Sequence, residues 1–79
     1  MVRIEKLESY TIPMFGSKRT LPYGKLVVVD DTDWVKKLVD IKETENGDQY
    51  FTFKRRRYYV QNMGTLNFPN FCIIEEFEV

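Results

Sequence analysis

Four consecutive cations, Lys54, Arg55, Arg56 and Arg57, stand between two aromatic, β-prone runs, with Tyr50, Phe51 and Phe53 before them and Tyr58 and Tyr59 after. A guanidinium forks onto carboxylates or phosphates, and a tyrosine ring stacks on a base or fills a partner's pocket. A strand that enters such a cluster and leaves through tyrosines sets positive charge at a hairpin tip or along one exposed sheet face. Lys54, Arg55, Arg56, Arg57, Tyr50 and Tyr59 are therefore the candidate partner-binding residues. Lys18, Arg19 and Lys25 extend the patch if the long first loop folds alongside it. The competing account is a hairpin tip kept in water by its charge.

No other constellation carries chemistry. The chain has no histidine, which removes the commonest general base, the commonest metal ligand and the usual partner of a nucleophilic serine or cysteine. One cysteine, Cys72, in an apolar segment is expected to be a buried, inert thiol, and it cannot form an intramolecular disulfide. Asp30, Asp31 and Asp33 lack the spacing, the turn glycine and the distal glutamate of a calcium loop, so they read as a strand-to-helix cap. Asp40 and Lys42 match a fragment of metal-dependent nucleases, but a surface ion pair accounts for them. No glycine-rich phosphate loop or nucleophile elbow is present. No catalytic residue, metal site or cofactor is expected.

Seventy-nine residues make one domain, 1–79, and a chain of this size buries only about 60% of its unfolded surface. Twelve aromatic residues offset the small size, because each can bury about 150–250 Å². Net charge is zero, yet residues 1–29 carry +3, 30–48 carry −4, 49–64 carry +4 and 65–79 carry −3. The alternation implies either separate acidic and basic patches or adjacent strands of opposite sign that pair. A non-specific nucleic-acid binder would show a bulk positive excess instead. No apolar run approaches the roughly 20 residues that cross a bilayer, and the first residues lack a signal-peptide core. With one cysteine, a cytoplasmic protein without a membrane association is the expectation.

The elements that must position the cations read as strands. Residues 2–12 form a first strand whose apolar phase slips near Leu7, which implies a bulge. Residues 13–24 form a long irregular segment. Residues 25–29 are a central strand buried on both faces. Trp34, Leu38 and Ile41 fit helical spacing, whereas Val35, Val39 and Ile41 favour a strand; one helical turn near 33–37 followed by a strand from about Leu38 is expected. Asn46-Gly47 marks a hairpin. A three-residue loop of Glu45, Asn46 and Gly47 pairs Ile41 with Phe51 and Val39 with Phe53, which collects apolar side chains on one face. A four-residue loop over 54–57 then sets Phe53 opposite Tyr58 and Phe51 opposite Val60. Residues 71–79 close the chain as a strand, with Phe71, Ile73, Phe77 and Val79 on one face and Glu75 out of pattern. The expected fold is mainly β, with five to six strands in a small curled antiparallel sheet or a partly open SH3-like or OB-like barrel.

This combination points to a small non-enzymatic binding module that docks on an acidic surface of a partner protein. A compact, charged chain without catalytic motifs resembles the small accessory proteins of bacteriophages and mobile elements, which implies an inhibitor or adaptor. Single-stranded nucleic-acid or RNA binding on a barrel face is the alternative, and self-association into a homo-oligomer through the edge strand from Phe71 to Val79 is another.

Overall fold

The structure, a computed structural model, describes residues 1–10, 24–65 and 67–78. Strand β1, Val2–Tyr10, carries apolar residues at every third position, Ile4, Leu7 and Tyr10. A regular strand would send these to alternating faces. Two register shifts against β2, one between Ile4 and Lys6 and one between Leu7 and Ser9, return each of them to the inner face. All three pack on the core from there. The single bulge expected near Leu7 is thus a pair, flanking it.

Strand β2, Gly24–Asp30, is the centre of a three-stranded antiparallel sheet, between β1 and β3, Val35–Asp40. Leu26 and Val28 are fully buried, and Val27 and Val29 on the opposite face are nearly so. On that second face Val29 lies between Arg3 and Lys36, and Val27 between Lys6 and Leu38. Long cationic stems cover apolar surface while their heads stay wet. The Lys36–Glu5 ion pair, 2.8 Å, ties two of the strands across the same face.

The expected helical turn at 33–37 does not form, and among the described residues there is no helix. Residues 31–34 make a turn and the strand begins at Val35, not Leu38. The β-branched residues prevail over the helical spacing. Of the three residues at helical spacing, Trp34 is 85% exposed and Leu38 is 48% exposed, while Ile41 is completely buried.

Ile41 is where the chain changes sheets. Its amide donates to the carbonyl of Gly24 at 2.9 Å, the last bond of the first sheet. The next two residues, β4 (Lys42–Glu43), pair with β5 (Gln49–Phe53) in a second antiparallel sheet, completed by β6 (Arg56–Asn62) and β7 (Phe71–Glu78) in the order β4-β5-β6-β7. A Cβ on Gly24 would come within 2.8 Å of Ile41 Cδ1, so glycine lets that side chain fill the corner. Leu26, Val28, Val39, Ile41, Phe51, Phe53, Tyr58, Val60 and Phe71 form the core between the sheets. Phe51 and Tyr58 stack there at 5.1 Å. The sheets do not close into a barrel: β1 and β7 approach one another, but each ends its own sheet. The mainly β expectation holds in this open form, and β7 is an edge as expected.

The first hairpin follows the expected register. Lys42 faces Tyr50 and Glu43 faces Gln49. Thr44 and Asp48 close a three-residue loop through a 2.8 Å bond, with Gly47 at φ 89°. Val39 departs from expectation, because β3 pairs with β2 rather than β5. The second hairpin differs by two residues. Phe53 faces Arg56, Thr52 faces Arg57 and Phe51 faces Tyr58, so the loop is Lys54-Arg55 alone, both at positive φ (51° and 63°). A shift of two residues leaves every side chain on its face, so the apolar pattern cannot separate the two registers. The two-residue turn with both φ positive matches the twist of the strands, although Asn-Gly is its usual occupant. A side chain in the left-handed region costs about 1–2 kcal/mol relative to glycine.

Two stability outcomes follow from this packing. Gly47→Ala is expected to lower unfolding free energy by about 1–2 kcal/mol, since alanine at this φ is strained. Phe51→Ala is expected to remove about 3–5 kcal/mol, comparable with the whole stability of so small a domain. Urea titration followed by circular dichroism reads both; a Phe51→Ala protein that still unfolds cooperatively near the native midpoint would contradict the proposed core.

Candidate functional site

The β5–β6 hairpin sends its four cations to different surroundings. Lys54 Nζ donates to Asp30 Oδ2 at 2.8 Å and also to Asp33 Oδ2, which ties the second hairpin to the turn that ends β2. Asp30 further accepts the Thr32 amide at 2.9 Å. Lys54 and then the Thr32 amide hold the Asp30 carboxyl far below its ordinary value, and Asp30 and then Asp33 raise the Lys54 ammonium. The acidic run is therefore a socket for a lysine, not a helix cap. Among the described residues no cluster of histidine, cysteine, aspartate or glutamate is arranged to hold a metal ion.

Arg56 leans on β7, 3.5 Å from Glu76 and 3.9 Å from Glu78. Both are solvent-exposed pairs of the kind that contribute little. Arg55 is exposed and has no ion pair or hydrogen bond among the described residues. Arg57 turns to the outer face of the second sheet. Its guanidinium carbon lies 4.2 Å from the Tyr50 ring centroid, and Nη1 donates to Tyr59 Oη at 3.3 Å. The hydrogen bond to the Tyr59 hydroxyl, against a smaller desolvation effect, raises the Arg57 guanidinium above its ordinary value.

The same outer face gains a ring that the sequence pattern had assigned to the inner one. The β6–β7 ladder shifts register between Tyr59 and Val60: Val60 faces Ile73, but Tyr59 faces Glu75. Ile74 is the extra residue, and beyond it Phe77 stands opposite Arg57 rather than beneath Phe71. Phe77 meets Tyr59 edge-on at 5.7 Å, and Tyr50 meets Tyr59 at 5.8 Å. Tyr50, Tyr59, Phe77 and Arg57 thus form a continuous half-exposed platform, with Glu75 and Glu78 at its border. The out-of-pattern Glu75 was the signal for this bulge. Cys72, expected to be buried, is a half-buried free thiol opposite Gln61.

Of the candidate residues, Tyr50, Tyr59 and Arg57 converge on the outer face, Lys54 and Arg56 line a separate cleft, and Arg55 stands apart at the turn. Lys18 and Arg19 lie outside the described residues. Pairing of neighbouring strands of opposite sign accounts for part of the block charge pattern, as in Lys25–Asp40 (3.7 Å) and Arg56–Glu76. Asp40 therefore pairs across the strands and not with Lys42. A cleft of about 810 Å³ opens where β1 and β7 fail to pair, with Val2, Tyr58 and Ile73 on its apolar wall and Asp30, Lys54, Arg56 and Glu76 on its polar one. No helix among the described residues is long and apolar enough to cross a membrane. Comparison of the chain with protein-family models, with curated proteins and with solved structures finds no match.

The ion-pair cluster has a pH signature. The depressed Asp30 contributes stability that is present above the unfolded carboxyl value near 3.8 and is lost as pH falls below it. The raised Lys54 contributes stability that is present below 10.5 and is lost as pH rises beyond it. Lys54→Met is expected to lower Tm most between about pH 4 and pH 10, with the difference from the parent narrowing on both sides of that window. Thermal melts across pH check this; a constant difference down to about pH 2 would mean that Lys54 acts through packing and not through Asp30.

Proposed function

We propose that this chain is a non-enzymatic binding module, of the inhibitor or adaptor type, that docks on a partner protein through the β5–β6 hairpin and its outer face. The observation that carries the reading is the platform of Tyr50, Tyr59 and Phe77 gathered around Arg57. Aromatic residues and arginine dominate the binding energy of protein interfaces, since they combine large contact area with few rotatable bonds and fixed hydrogen-bonding forks. Arg57 is held by rings and a hydroxyl, not by a carboxylate, so its charge is available to an acidic group on the partner. The absence of histidine favours binding over catalysis. The small, charged chain is in the style of phage and mobile-element accessory proteins, and its single free cysteine suits a reducing, cytoplasmic setting.

Stacking single-stranded nucleic acid on the same rings is the second reading, favoured by three aromatic side chains on one sheet face. Glu75 and Glu78 beside the platform oppose a polyanion there, so the protein partner is preferred.

Tyr59→Ala and Arg57→Ala are each expected to weaken binding to the partner about 10-fold or more, measured below the melting transition of each variant so that loss of fold does not contribute. Affinity capture with the parent chain and both variants as bait, followed by titration of the purified partner, provides the measurement. An unchanged affinity in both variants would remove the platform from the mechanism. Oligonucleotide titration at about 50 mM salt distinguishes the second reading, because phosphate contacts are strongest when screening is weak.

A further inference from the structure

We propose that Trp34 and Arg55, on two adjoining turns, form a second anchor pair that seats the module on an apolar pocket of its partner protein bordered by a carboxylate. The inference rests on the protein-binding reading above and assigns it a site that lies apart from the tyrosine platform.

Trp34 is 85% exposed and sits at φ 57°. Bulky side chains rarely adopt that backbone region, and glycine or asparagine serves a turn there without the strain. Within the described residues its indole makes no hydrogen bond or ring contact, so the fold gains nothing from the largest side chain it has. Arg55 repeats the pattern at φ 63°, exposed and without an ion pair. Two strained positions carry the two residue types that most often dominate protein interfaces. At Arg55 the two-residue hairpin turn itself requires the left-handed region, whereas at Trp34 the strain has no such use in the fold, and strain of that kind is an indication of function.

The two residues are held at one end of the molecule. Asp33 immediately precedes Trp34, Lys54 immediately precedes Arg55, and Asp33 and Lys54 are joined by an ion pair that also engages Asp30. Both turns are thereby fixed before a partner arrives, which reduces the ordering that binding requires. The local carboxylates are already occupied: Asp30 and Asp33 by Lys54, and Asp31 by Arg3 at 3.1 Å. Among the described residues of these two turns, the charge left unpartnered is the Arg55 guanidinium. A surface that accepts an indole in an apolar recess and offers a carboxylate beside it matches this pair.

The test uses Trp34→Asn, Arg55→Gly and Tyr59→Ala chains, together with a chain carrying benzoylphenylalanine in place of Trp34. Trp34→Asn and Arg55→Gly are expected to melt at or above the parent temperature, because each relieves a left-handed side chain; a clear fall in Tm for both would overturn the strain argument. Photocrosslinking from position 34 in an extract of the source cells, with the product mapped by mass spectrometry, is expected to mark a partner segment that contains apolar residues and an aspartate or glutamate. Binding of that purified partner is expected to weaken about 10-fold or more in Trp34→Asn and in Arg55→Gly separately. If only Tyr59→Ala weakens it, the anchor pair is wrong and the platform reading stands. If none of the three does, both fall. A crosslink to nucleic acid, or to a second copy of this chain, also overturns the proposal.

Discussion

The fold depends on a single change of direction at Ile41. Up to Asp40 the chain pairs with β2, and from Lys42 it pairs with β5. Between them Ile41 gives its amide to Gly24 and buries its side chain completely. One continuous stretch therefore belongs to both sheets, which is what brings their inner faces together. The absence of a Cβ at Gly24 provides the space, and the apolar residues of β2, β5 and β6 then meet across the corner. The candidate surfaces follow from this geometry. Only when the second sheet is folded over the first does Lys54 reach Asp30 and Asp33, joining two turns that are more than 20 residues apart in sequence.

Bulges do the remaining work of placing side chains. In β1 they turn a period of three into an inward-facing row. In β7 one extra residue, Ile74, moves Phe77 from the core side to the outer face. That single insertion adds Phe77 to the platform: in the unshifted register Tyr59 would face Ile74 and Arg57 would face Glu76, leaving Tyr50, Tyr59 and Arg57 without the third ring. The two effects are opposite in sign, since one bulge pair serves the core and the other serves the surface. Both agree with the general role of bulges in re-aiming side chains near strand ends and functional faces.

Much of the fold was legible in the residues. The Gly47 loop, the buried valine strand β2 and the alternation of Phe51, Phe53, Tyr58 and Val60 all follow from local chemistry, because turn geometry and period-two burial act on neighbours in sequence. The second hairpin was legible in its faces but not in its register, since a slip of two residues leaves the apolar pattern intact. The site was half legible. Tyr50, Tyr59 and the arginine run were visible as candidates, but their division into a stacked Arg57, an exposed Arg55, a β7-bound Arg56 and a Lys54 paired with Asp30 and Asp33 was not. The spacing of Trp34, Leu38 and Ile41 imitates a helix, which hid the turn at 31–34 and the start of β3 at Val35.

By itself the sequence determined the strand-rich class, the first hairpin and the inward facing of Phe51, Phe53, Tyr58 and Val60, because each depends on contacts within a few residues or on simple alternation. Only the tertiary structure decided which carboxylate holds which cation and on which face Phe77 emerges. It also decided that Trp34 and Arg55 share one end of the molecule. Those outcomes depend on the distance between segments remote in the chain, and that distance is set by the corner at Ile41 and the bulge at Ile74, neither of which alters local composition.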